Sequence, residues 1–268
     1  MSDVMSGAVR RRVALLCASV ALFAACGGTV EDDDEPRAPA PPPASAPGGL
    51  YVGYYAEDPN NNPEDPTLGV LHLALPAGDA AFSGAMFFTY VGCQSSNVGT
   101  INGNRAGNAL TGNWSGTIDG TAQSGNYNGN YNAGSGVFGG TYTVAGGKQA
   151  RDLLPCISYF IAANGTWELL QVGRSAPSGF DIDVSGTTVQ WTNPANTALT
   201  LVAVLDEAQA TAGQASAARF QAVDPGGLQS LNLAAVPGLT AGTRYVIAVA
   251  AADAQRQRLA AGSIVITR

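Results

Sequence analysis

Apolar residues are distributed along this chain in three ways. From Val13 to Ala25 they run on without a charge. From Thr29 to about Gly48 large apolar side chains almost vanish. Beyond that, short apolar stretches recur between glycine, asparagine and proline. Alternation of this kind puts one face of a strand on a core. It predicts strands over Leu50 to Tyr55, Val70 to Leu75, Ala81 to Val91, Val98 to Arg105, Ala109 to Ile118, Ala122 to Tyr131 and Gly136 to Val144. Ser158 to Ile161 and Thr166 to Val172 frame a last hairpin, with Asn164-Gly165 at its turn, because Asn-Gly accepts the positive φ such turns need.

Within this first unit, about 49–172, short motifs return. Gly99-Thr100-Ile101-Asn102-Gly103 recurs as Gly116-Thr117-Ile118-Asp119-Gly120, and Gly112-Asn113-Trp114-Ser115-Gly116 as Gly125-Asn126-Tyr127-Asn128-Gly129. The spacing is irregular, so a strict solenoid is the lesser reading and a Gly/Asn-rich antiparallel meander the preferred one. Closure of about eight strands into an up-and-down barrel would remove exposed edges. Trp114, Tyr127, Tyr131, Phe138 and Tyr142 fall at alternating strand positions. Tyr127 and Tyr131 share one face, either as core or as a row on which a ligand such as a sugar stacks. Such a barrel is similar in shape to lipocalins and to the small barrels of surface lipoproteins that bind host proteins, a likeness of fold alone.

The second unit, about 173–268, predicts seven further strands: Phe180 to Val184, Thr187 to Thr192, Leu199 to Asp206, Ala217 to Val223, Gln229 to Ala235, Arg244 to Ala252 and Leu259 to Thr267. Val189-Gln190-Trp191-Thr192 resembles the second strand of fibronectin type III domains, with its core tryptophan. Leu239-Thr240-Ala241-Gly242-Thr243-Arg244-Tyr245-Val246-Ile247-Ala248-Val249 resembles that family's turn into its sixth strand. The resemblance implies a seven-stranded sandwich in which the Tyr245 hydroxyl bonds nearby backbone. It also implies a spacer or interaction module with Trp191 as core. The alanine-rich fifth and last strands depart from the family. The fold class expected for the whole chain is therefore all-β.

Ahead of these units, Arg10-Arg11-Arg12 and the apolar run have the parts of a secretory signal peptide; the run is too short to span a bilayer. Its end, Leu22-Phe23-Ala24-Ala25-Cys26, resembles the lipobox of bacterial lipoproteins, with Phe23 where leucine is usual. The resemblance implies cleavage after residue 25, lipidation of Cys26 and membrane attachment through its acyl chains, each buried CH₂ contributing about 0.8 kcal/mol. Gly27-Gly28, rather than aspartate, implies the outer membrane. Residues 26–48 then form a tether, with an acid run at Glu31 to Glu35 and prolines from Pro36 to Pro43 that favour extension.

Cleavage before Cys26 would remove Asp3 and three arginines, taking 13 basic and 20 acidic side chains to 10 and 19. Such an acidic chain is not built for nucleic acid. Cys17 lies in the leader, which leaves Cys93 and Cys156 to pair as one disulfide in an exported protein. Closing that loop of about 60 residues would stabilise by roughly 4 kcal/mol.

Signals of chemistry are sparse. No nucleophile elbow, zinc-protease motif or phosphate loop is present, and no metal or cofactor is expected. Asp58, Asn60, Asn62 and Glu64 sit at calcium-loop spacing, but Pro63 and Gly69 replace the required glycine and glutamate, so a solvated loop is expected. His72, the single histidine, reads as a structural or edge residue between leucines. Asp181 and Asp183 share a strand face without a cleft. These observations point to a non-enzymatic envelope protein with a structural or surface-binding role toward a protein or glycan. A lipocalin-like carrier of an apolar ligand and a carbohydrate-binding accessory are the alternatives.

Overall fold

The structure is a computed structural model that describes residues 44–61, 67–90, 96–118, 121–145, 164–225 and 227–268. The leader, Cys26, most of the tether, Cys93, Cys156 and the expected strand from Ser158 to Ile161 lie outside the described residues. Among the described residues the chain is all-β apart from one short helix and two 3-10 turns, and its strands belong to one compact unit.

Eight antiparallel strands close into a barrel: β1 (Gly49–Glu57), β2 (Thr67–Leu75), β3 (Ala81–Tyr90), β4 (Ser96–Ala106), β5 (Ala109–Ile118), β6 (Thr121–Asn132), β7 (Val137–Thr143) and β8 (Asn164–Gln171). Each strand pairs with its sequence neighbours, and β8 returns to β1. The barrel, not the solenoid, is what the glycine-rich repeats build. Their meaning is clear from the register. One level across six strands reads Phe82, Gly103, Gly112, Tyr127, Tyr142, Gly165. Each large ring on this level is paired with a glycine, so the rings lie over bare backbone and fill the lumen. In Gly112–Gly116 and Gly125–Gly129 the glycines and the aromatic point inward, while the intervening asparagines and serine are exposed.

Asn164-Gly165 is not a turn. Both residues lie in β8, paired with Thr143 and Tyr142, and neither has positive φ. The glycine serves close approach instead: a Cβ there would come 2.6 Å from the Tyr142 ring and 2.2 Å from the Ala56 carbonyl.

The second unit holds two sheets. One contains β10 (Ile182–Ser185), β11 (Thr188–Trp191) and β14 (Ser230–Asn232). The other has the order β13 (Ala218–Asp224), β12 (Leu199–Asp206), β15 (Arg244–Ala252), β16 (Arg258–Thr267), β9 (Ser175–Ala176). The expected strand from Gln229 to Ala235 is shorter than its pattern. The Asn232 side chain accepts from the Ala234 amide and turns the chain into a 3-10 turn, Leu233–Ala235. A helix the pattern did not predict, α1 (Glu207–Thr211), follows β12 and is capped by Asp206, whose carboxylate accepts from the Gln209 amide.

The central strands of the five-stranded sheet, β12 and β15, are buried on both faces. Val202, Val204, Ile247 and Val249 face the sandwich core with Trp191. Leu201, Leu205, Ala248 and Ala250 face the barrel, against Val52, Tyr54, Val70 and Phe87 on the outside of β1, β2 and β3. Alanines on β15 and β16 let the sheet lie close to the barrel wall. Arg256 and Arg258, at the β15–β16 turn, reach the barrel beside this apolar seam. Arg256 donates to the Glu57 carbonyl at 3.1 Å, and Arg258 pairs with Glu168.

Candidate functional site

The barrel lumen is the first place to look for a ligand, because barrels of this size either pack solid or enclose one. Here the lumen is packed. Tyr51 meets Phe138 edge-on at 5.3 Å, Tyr55 meets Tyr142 at 5.6 Å, and Tyr127 meets Trp167 at 6.0 Å. The indole N–H of Trp114 donates to the Thr143 carbonyl at 3.2 Å, and that of Trp167 to the Thr141 carbonyl at 3.1 Å. Among the described residues, Leu71, Met86, Ile101, Tyr127 and Trp167 leave a cavity of about 20 Å³. That is room for about one water.

Tyr127 and Tyr131 share a face, as alternation requires, but it is the inner one. Tyr127 is buried, and Tyr131 packs on Phe138 at 5.0 Å nearer the barrel end. They do not form an exterior stacking row. The Tyr127 hydroxyl is buried without a hydrogen-bond partner among the described residues, and burial pushes its ionisation well up. It rests against the backbone of Gly103 and Gly112.

At the end where the chain enters, Arg105 points into the lumen and closes it. Its guanidinium donates to the carbonyls of Pro76 at 2.6 Å, Gly107 at 2.9 Å, Pro47 at 3.4 Å and Ala46. Asn108 holds the same segment, its side-chain oxygen accepting from the Ala46 amide at 2.9 Å. The last residues of the tether, Ala44 to Gly48, are thus a strap across the barrel floor. At the opposite rim β3 ends and β4 begins, and β7 ends and β8 begins; Cys93 and Cys156 lie outside the described residues.

The larger hollow is elsewhere. A groove of about 470 Å³ opens between β13 and β14, the free edge strands of the two sheets. Phe220, Ala222, Leu228, Leu231 and Val236 line it, with Asp224 and Asn232 also on its walls. Its volume falls in the range of small-molecule and side-chain pockets, about 300–1,000 Å³. Sequence reasoning missed it, because its two strands, though consecutive in the chain, belong to different sheets and do not pair.

The other singled-out residues do not converge. Asp181 and Asp183 are not buried. Asp58 accepts from the Asn60 backbone and side-chain amides at 2.9 and 2.8 Å, a local turn; Asn62 and Glu64 lie outside the described residues. No group of three or more metal-ligating side chains occurs among the described residues. His72 is completely buried on the outer face of β2, stacked on Phe87 with 5.9 Å between ring centres. It is not an edge residue, since the closed barrel has no edge. Trp191 lies in the sandwich core, its N–H donating to the Leu228 carbonyl and the Asn193 side chain, each at 3.1 Å. No family model, curated protein or solved structure matches this chain.

Proposed function

We propose that this protein is a lipid-anchored component of the bacterial cell envelope, with a structural or surface-binding role and no catalytic one. The observation that carries the reading is the filled lumen. A cavity of about 20 Å³ is far below what a carried ligand needs, which weighs against a lipocalin-like carrier. The inward aim of Tyr127 and Tyr131 weighs equally against sugar stacking on that row. The groove between β13 and β14 offers the surface-binding role a place to act.

The second unit is read as fibronectin III-like. The Tyr245 hydroxyl accepts from the Thr240 amide at 2.8 Å, as the corner in that family requires, and the three- and five-stranded sheets support the same reading. The anchor rests on Leu22 to Cys26, the outer-membrane destination on Gly27-Gly28, and the disulfide on Cys93 and Cys156.

Mass spectrometry of the full-length protein extracted from membranes tests the whole reading. The expected mass begins at Cys26, carries acyl chains and lacks two hydrogens. An unacylated chain refutes the anchor. A small molecule that leaves only on denaturation would put the carrier reading first.

A further inference from the structure

Most of the seam between the barrel and the second unit is leucine, valine and alanine, but at one point it buries an imidazole. His72 points outward from β2, between the inward Leu71 and Leu73, and is 0% exposed. Phe87 covers one side of the ring. The other is covered by α1 and the turn after it. This cover is thin: from Glu207 to Ala217 only Ala210 and Ala217 are buried. Gly213, at φ +67°, lets the turn come against Ser83 of β3.

Neither ring nitrogen has a hydrogen bond among the described residues. The polar groups that bear on the ring are the carbonyls of Ala210 and Gln214, which also accept from the amides of Gly213 and Ala217; they favour the protonated ring, but burial outweighs them. No charge compensates a proton there. Around the ring, Asp206 is paired with Arg219 and Glu207 with Arg244. Glu57, on β1, accepts from the Thr67 amide, and Asp224 lies at the far end of β13; neither acts on the imidazole.

We propose that the α1 segment and His72 form an acid-sensitive latch: protonation of the buried ring releases Glu207–Ala217 from the barrel wall. A cation in this apolar seam has no counter-charge and no exposure to solvent, whereas lifting a cover held by the methyl groups of Ala210, Ala215 and Ala217 hydrates it. Burial lowers the pKa of the ring in the closed state from 6.5 to about 4. The open state binds the proton more tightly, so the latch is fully closed above pH 6.5 and loosens as pH falls toward 4. Through that window the closed-to-open ratio falls by up to roughly 300-fold, the ratio of the two proton affinities.

The single histidine makes the test clean. The imidazole carbon resonance of the full-length protein is followed by NMR from pH 8 to 3.5, beside hydrogen exchange at the Gly213 and Ala217 amides, corrected for intrinsic rate. The expected result is a ring that stays neutral through pH 6 and takes up its proton as those two amides lose protection, while β12 and β15 stay protected. His72→Phe keeps the protection across the same range. A ring that titrates near 6.5 without loss of protection overturns the latch. So does equal loss in His72→Phe. If that variant does not fold, the wild-type titration alone decides.

Discussion

Tyr127→Phe should make this protein more stable, an unusual sign for a change in a packed core. The ring itself is well placed, 6.1 Å from Phe82 and 6.0 Å from Trp167, and phenylalanine keeps those contacts. The hydroxyl is the liability. It left water on folding and found no partner among the described residues. An unsatisfied buried hydroxyl costs about 1–3 kcal/mol. Removing it leaves a void of on the order of 15 Å³, a loss of ~0.4 kcal/mol at about 24 cal/mol per Å³. The net gain is about 0.6–2.6 kcal/mol, which for a domain of this size raises Tm by roughly 2–4 °C per kcal/mol. Urea unfolding of the purified pair measures it as a higher midpoint at unchanged slope. A loss of about 1 kcal/mol or more would refute the reasoning. It would mean that the hydroxyl is hydrogen-bonded, for instance to a water held in the adjoining cavity of about 20 Å³.

Three other substitutions probe the barrel and the sandwich. Gly129→Ala puts a Cβ 2.4 Å from the Trp167 ring and 2.5 Å from the Gly139 carbonyl; a cost of about 1–3 kcal/mol and altered tryptophan fluorescence are expected. Arg105→Met removes the charged donor from the carbonyls of Ala46, Pro47, Pro76 and Gly107. It should destabilise by about 2–3 kcal/mol and speed proteolysis at residues 44–48. Tyr245→Phe deletes the bond from the Thr240 amide; about 0.5–1.5 kcal/mol should be lost, with faster hydrogen exchange at Thr240.

Much of this fold could be read locally. The strands announce themselves by alternation, and β12 and β15 announce something more. Leu199 to Leu205 and Tyr245 to Ala252 are nearly unbroken apolar runs, which signals burial on both faces, and both faces are covered. The signal for α1 was also present: Asp206 stands where a helix N-cap should, and Gly213 follows the helix end. Five residues are too few for periodicity to display it. Other features have no local signature. Gly165 looks like a turn glycine because its reason for being glycine, the Tyr142 ring, comes from the neighbouring strand. His72 looks unremarkable between two leucines, since what covers it arrives from Ala210 and Gln214, on a distant part of the chain. The groove needs Phe220 and Leu231 from two different sheets.

The strap on the barrel floor also sets how the protein would bear a mechanical load. If the chain is held to a surface through its N-terminal side, tension arrives at Ala44 and Ala46, where Asn108 and Arg105 grip the backbone. It then runs along the axis of β1, which is zipped on one side to β2 from Gly49 to Ala56 and on the other to β8 from Tyr51 to Glu57. Force along a strand shears all of those hydrogen bonds together instead of peeling them one at a time. A load that enters through the tether is therefore set against both ladders of β1 at once.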